Sequence, residues 1–130
     1  MTVTRFIAAL GMSMLILESL HLQGANSIER EVRLLIDAIG TSHCDFNRNG
    51  RQHTAEEAAA HLELKYARAG EHIDSADEFI TQLASSSSFT GRLYLMSCEG
   101  GTLPAEDWMI DALEQIRANT QGLDGSTVSG

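Results

Sequence analysis

Positive charge is scarce in this sequence: 9 lysines and arginines stand against 18 aspartates and glutamates, a formal charge of −9 over 130 residues. Such a field repels phosphate backbones and anionic lipid, which argues against nucleic acid and membrane surfaces as partners and leaves basic proteins and cationic ligands open. Long hydrophobic runs are missing as well. The one extended apolar stretch, Phe6 to Leu17, has twelve residues, too few to span about 30 Å of hydrocarbon at 1.5 Å per residue. No stable membrane anchor is expected. Proline occurs once, at Pro104, and with 43% hydrophobic and 21% charged residues the composition lies far from disordered or collagen-like chains. Only two cysteines are present, Cys44 and Cys98, without the paired CxxC spacing of a zinc site. No nucleophile elbow surrounds the serine run Ser85–Ser88, and no cofactor fingerprint occurs, so no cofactor is expected.

What is present begins with a leader. One positive charge at Arg5 precedes the apolar run, and the chain then turns polar and small toward Gly24-Ala25. That layout predicts a secretory signal peptide over residues 1–25, in preference to a buried N-terminal helix or an uncleaved anchor. Cleavage there leaves roughly 105 residues, one core's worth. Net charge is unaffected, because Arg5 and Glu18 cancel. An exported chain meets oxidising conditions, so a Cys44–Cys98 disulfide is the natural reading, with two buried free thiols as its alternative.

Four helices and a short β element follow from periodicity and end signals. Ile28, Val32, Leu35 and Ile39 share one face of a helix over 27–39, which Asn26 with Glu29 should cap and Gly40 should stop. Asn47-Arg48-Asn49-Gly50 reads as a tight reversal that short strands can flank. Thr54-x-x-Glu57 opens a second helix ending at Gly70, with Ala58, Leu62, Tyr66 and Ala69 inward. A third starts at Ser75-x-x-Glu78 and buries Ala76, Phe79, Ile80, Leu83 and Ala84. Thr90-Gly91 reads as a turn, Leu93–Met96 as a strand, and Glu99-Gly100-Gly101 as a break. Pro104 then opens a fourth helix that turns Trp108, Met109, Ala112, Leu113 and Ile116 inward. The expected fold is α+β and mainly helical: four helices around one core, with a short β pairing near the disulfide. One globular domain covers 26–118, and a disordered tail covers 119–130.

Two patterns carry possible chemistry. Asp45-x-Asn47-x-Asn49-Gly50, closed by Glu56, satisfies the twelve-residue calcium-loop template. Only Asp45 and Glu56 bring negative charge, while Arg48 and Arg51 oppose a dication. An asparagine-glycine turn is the plainer reading. On the second helix Glu57, His61 and Lys65 stand four residues apart on one ridge, with Arg68 close by. There a glutamate can hold a histidine tautomer, which makes His61 the best proton-transfer candidate beside the plainer reading of a solvated charge ladder.

The residues Cys44-x-Phe46-x-Arg48-Asn49-Gly50, Ala58-x-x-His61-Leu62-x-x-Lys65, Phe79-Ile80, Ser86-x-Ser88-x-x-Gly91-x-x-Tyr94, Cys98 and Trp108 resemble the DUF5329 family, small exported bacterial proteins of unassigned function. The resemblance spans helix one to helix four and implies a bacterial envelope location. It marks Arg48, Asn49, Gly50, His61, Lys65, Ser88, Gly91 and Tyr94 as positions where a shared site is to be sought. Asp45 and Asn47 fall outside that pattern, which weakens the calcium reading.

A Cys44–Cys98 bridge would draw the two turn regions together, so Arg48, His61, Lys65 and Tyr94 are expected around one groove. The expected function is that of a small periplasmic binding or interaction protein, non-catalytic, with an envelope protein as its partner. The alternatives are a hydrolase-like enzyme, with His61 as acid or base and Arg48 and Lys65 holding an anionic substrate, and a weak calcium binder through 45–56.

Overall fold

The computed structural model describes residues 24 and 26–126. The expected leader, 1–25, falls almost wholly outside the described residues. Helix α1 covers residues 26–40 and sinks Val32, Leu35, Ile36 and Ile39 into the core. Its ends differ from expectation. Asn26 is already helical, and the Glu29 carboxylate accepts from Arg33 Nη2 at 2.9 Å, an i,i+4 pair that replaces the capping box. At the other end Gly40 remains helical, and His43, at φ 58°, takes the left-handed position instead. Glycine at 40 serves close approach: a Cβ there would stand 3.2 Å from the Ala59 Cβ on the neighbouring helix.

Two antiparallel hairpins form the sheet. Strands β1 (Asp45–Arg48) and β2 (Arg51–His53) are joined by Asn49-Gly50, at φ 53° and 81°. Both central residues of the turn therefore have the positive φ that a type I′ reversal demands. The second hairpin pairs β3 (Leu95–Cys98) with β4 (Gly101–Pro104), and the order is β2-β1-β3-β4. Because Asp45 pairs with Ser97, Cys44 comes opposite Cys98, and a disulfide joins them at a Cα–Cα distance of 4.6 Å. The expected β pairing near the disulfide is thus realised. Phe46 and Met96, paired across β1 and β3, are buried on the inner face, where α2 and α4 cover the sheet.

The second hairpin corrects the sequence reading twice. Strand β3 starts two residues later than Leu93, because the Tyr94 backbone is engaged elsewhere: its N–H donates to Ser85 O and its carbonyl accepts from Ala105 N–H, both at 2.9 Å. The expected break at Glu99-Gly100 is a hairpin turn, and Pro104 closes edge strand β4 instead of opening a helix. An edge strand tolerates proline because the missing N–H faces away from the ladder.

Helix α2 (Ala55–Ala69) follows the expected capping box: Glu57 N–H donates to Thr54 Oγ1 at 3.2 Å, and Thr54 N–H donates to Glu57 Oε2 at 3.3 Å. Helix α3 is α-helical only over Ala76–Glu78 and continues as a π-helix over Phe79–Ala84. Hydroxyls compete with the backbone ladder there, since Thr81 Oγ1 donates to Asp77 O and Ser85 Oγ to Thr81 O. Phe79, Ile80 and Ala84 are buried as expected. Helix α4 spans Ala105–Ser126, with Met109 and Leu113 buried and Trp108, Ala112 and Ile116 packed at the core margin. It therefore runs past residue 118, where a disordered tail was expected. Thr120 Oγ1 donates to Ile116 O at 2.9 Å in that extension. The fold class is α+β and mainly helical, as the periodicities implied. Among the described residues, no helix is long and apolar enough to cross a membrane.

Candidate functional site

A groove of about 470 Å³ opens where the first hairpin, α2 and the serine loop meet. Of the eight positions marked for a shared site, Arg48, Asn49, His61, Lys65, Ser88 and Tyr94 line it, and Gly50 and Gly91 do not. Each arrives from a different local device. The type I′ turn aims Arg48 and Asn49 across the sheet end, and the i,i+4 spacing on α2 stacks His61 and Lys65 on one ridge. The disulfide fixes β1 beside β3, which brings Tyr94 to the floor.

Hydrogen bonds tie these devices together. Asn49 Nδ2 donates to Ser87 Oγ at 3.3 Å, and Thr90 Oγ1 donates to Asn49 Oδ1 at 2.7 Å, so the hairpin tip and the serine loop form one wall. Lys65 Nζ donates to Ser86 O at 3.2 Å and to the Tyr94 hydroxyl at 3.3 Å. The Tyr94 ring meets Phe46 at 6.3 Å and His61 at 6.4 Å, both edge-on. That packing sets the depth of the floor.

Further lining residues, among them His53, Arg51 and Phe89, extend the set the sequence suggested. His53 Nδ1 lies 3.3 Å from Glu57 Oε2, and its Nε2 lies 3.4 Å from Arg48 Nη2. The guanidinium can only donate, so Nε2 accepts and Nδ1 carries the proton toward Glu57. Glu57 thus orients His53 and, through it, Arg48. Its expected service to His61 is not realised, because the capping geometry turns the carboxylate back toward Thr54 N–H and His53 Nδ1. Among the described residues, no side chain hydrogen-bonds the His61 imidazole. The i,i+4 relation of His53 to Glu57 was the available signal for this chain of bonds.

Electrostatics follow from who lines the groove. Arg48, Arg51, Lys65 and Arg68 do, and among the described residues no carboxylate does. Burial first, then Arg48, Lys65, His53 and Arg68, lower the His61 pKa from 6.5 to about 4, so the ring is neutral at pH 7. Burial, then Arg48, lowers the Lys65 ammonium, and burial raises the Tyr94 phenol.

The calcium-template residues are placed otherwise. Residues 45–48 and 51–53 are strands, so no twelve-residue loop wraps a central point. Asp45 Oδ2 accepts from Gln52 Nε2, Asn47 Oδ1 accepts from Gly50 N–H, and Asn49 is bound into the wall. Glu56 is exposed in the first turn of α2. Among the described residues, no three His, Cys, Asp or Glu side chains gather as a metal site.

The model of DUF5329, a family of unknown function, matches residues 26–117, from the first described helix into α4. The chain belongs to the DUF5329 family. A curated relative, the uncharacterized protein YfeK of Salmonella typhimurium, is 40% identical over 67 residues, 51% of this chain. The matched stretch spans 56% of that relative's length. No solved structure matches the chain. Family membership therefore brings no chemistry with it, and the DUF5329 groove must be read from its own side chains.

Proposed function

We propose that the protein is a small, non-catalytic periplasmic binding protein whose groove takes an anionic ligand. The observation that carries this is the charge of the lining: among the described residues, four cationic side chains and no carboxylate, in a chain where acids outnumber bases 18 to 9. Assembling like charges is unfavourable, and the Lys65 and His61 pKa values are lowered first by burial and then by the neighbouring cations. A bound anion relieves that repulsion. The periplasmic part rests on the leader-like residues 1–25 and on a disulfide that persists in oxidising compartments.

Calorimetric titration with inorganic phosphate tests the binding. Heat of binding and a raised melting temperature are expected, both abolished in Arg48→Gln/Lys65→Met. No response up to tens of millimolar phosphate overturns the reading. Fractionation of native cells, with recovery in the cytoplasm, overturns the location.

One observation favours a hydrolase-like second reading, in which His61 acts as base toward an anion held by Arg48 and Lys65: a neutral imidazole, without a side-chain hydrogen bond among the described residues, lines the groove. Turnover of an anionic ester, lost in His61→Asn while phosphate binding survives, supports that version. Binding without turnover supports the first.

A further inference from the structure

The groove has an apolar side that its charge does not explain. Phe89 sits at its rim and is 100% exposed. An exposed phenylalanine at a loose loop tip calls for no comment, but this loop is held at many points. Phe89 N–H and Thr90 N–H both donate to Ser87 Oγ at 3.3 Å, Gly91 N–H donates to Ser87 O at 2.9 Å, and Ser87 N–H donates to Arg92 O at 2.9 Å. Thr90 is tied to Asn49 on the opposite hairpin, and Ser86 bridges to Leu93. The chain thus spends a set of hydrogen bonds on holding an uncovered aromatic ring beside four cations. Leu83, from the π-helical segment, adds a second apolar lining residue.

Resting on the anion-binding reading above, we propose that the ligand is a small amphiphilic anion. Its charged end lies among Arg48, Lys65 and Arg68, and its apolar body lies against Phe89 and Leu83. Charged and apolar surfaces in one concavity match such a molecule more fully than they match a bare anion or a neutral lipid. The occupant is a free molecule and not a bilayer. A volume of about 470 Å³ suits a small ligand, and a net charge of −9 repels an anionic membrane surface.

The oxidised protein is titrated calorimetrically with inorganic phosphate, octyl phosphate below its micelle concentration, and octyl glucoside. Octyl phosphate is expected to bind about tenfold or more tightly than phosphate, because the chain removes apolar area from water. Octyl glucoside should not bind. Phe89→Ala, at a fully exposed position that the fold does not need, should remove most of that advantage and leave phosphate affinity unchanged, with Phe89→Leu restoring part of it. Equal affinity for phosphate and octyl phosphate, or a Phe89→Ala variant that keeps the advantage, overturns the proposal while leaving anion binding intact. Failure of both anions to bind sinks the underlying reading as well. Sedimentation with phosphatidylglycerol vesicles, without binding of monomeric octyl phosphate, overturns the proposal in favour of a membrane surface.

Discussion

The His61 imidazole is held neutral by burial and by the cations that share its groove, which makes its titration a direct report on the site. An NMR titration should place its midpoint near 4 in the free protein, and saturating phosphate should move it upward, because an anion offsets the repulsion from Arg48 and Lys65. A midpoint near the ordinary 6.5 in the free protein contradicts the geometry. The sign for stability follows from linkage. Between about pH 4 and 6.5 the unfolded chain binds more protons at this position than the folded one, so folding weakens as pH falls through that window. Above it the contribution is complete. His61→Gln should flatten the pH dependence there, measured by urea denaturation at several pH values. His61 and Lys65 were recognisable from the sequence by their spacing on one helix. For His53 only the i,i+4 relation to Glu57 was legible, because its second partner, Arg48, lies on a separate element.

Elements differ in how far their own residues specify them. The first hairpin is local: Gly50 at φ 81° completes a turn that a side chain strains. Gly50→Val should cost roughly 1–2 kcal/mol in denaturant midpoint analysis. The helix bundle depends on a longer-range tie. Arg117 on α4 donates through Nε to Glu31 of α1 and through Nη2 to Asp77 of α3, both at 2.8 Å. The Arg117 pKa is raised by both carboxylates, and the Asp77 carboxyl is lowered in return. These groups are partly solvated, so Arg117→Met should remove only about 1 kcal/mol, and less at high salt. A loss that is unchanged by salt speaks against the pair. A capping box made α2 legible, and apolar stripes made α1 and α4 so. Strand β4 and the π-helical turn of α3 were not, because Gly-Thr-Leu-Pro carries no strand periodicity and an α and a π turn bury nearly the same stripe.

For the whole molecule the disulfide matters most. Closing a loop between residues 54 positions apart restricts the unfolded chain by about 4 kcal/mol in the chain-entropy argument. Reduction should lower stability by that order and also weaken phosphate binding, since the bridge holds β1 and Arg48 beside β3 and Tyr94. Reduced protein of unchanged stability goes against both. Charge is also arranged at this scale. On the far side of α2, a depression of about 550 Å³ gathers Glu29, Asp37, Glu63 and Glu71, with Arg33 there already paired to Glu29. Acidic and basic surfaces thus share one helix as their divide.

Read alone, the residues determined the helices with strong caps, the asparagine-glycine reversal, the pairing of the two cysteines and the surplus of negative charge. Each of these depends on interactions within a few positions or on composition, and both are written in sequence order. Tertiary structure alone decided that the scarce cations gather without a carboxylate, that Glu57 turns to His53 and away from His61, and that Phe89 stands uncovered beside them. Those outcomes depend on which segments tens of residues apart become neighbours, and only the packed sheet, bridge and helices settle that.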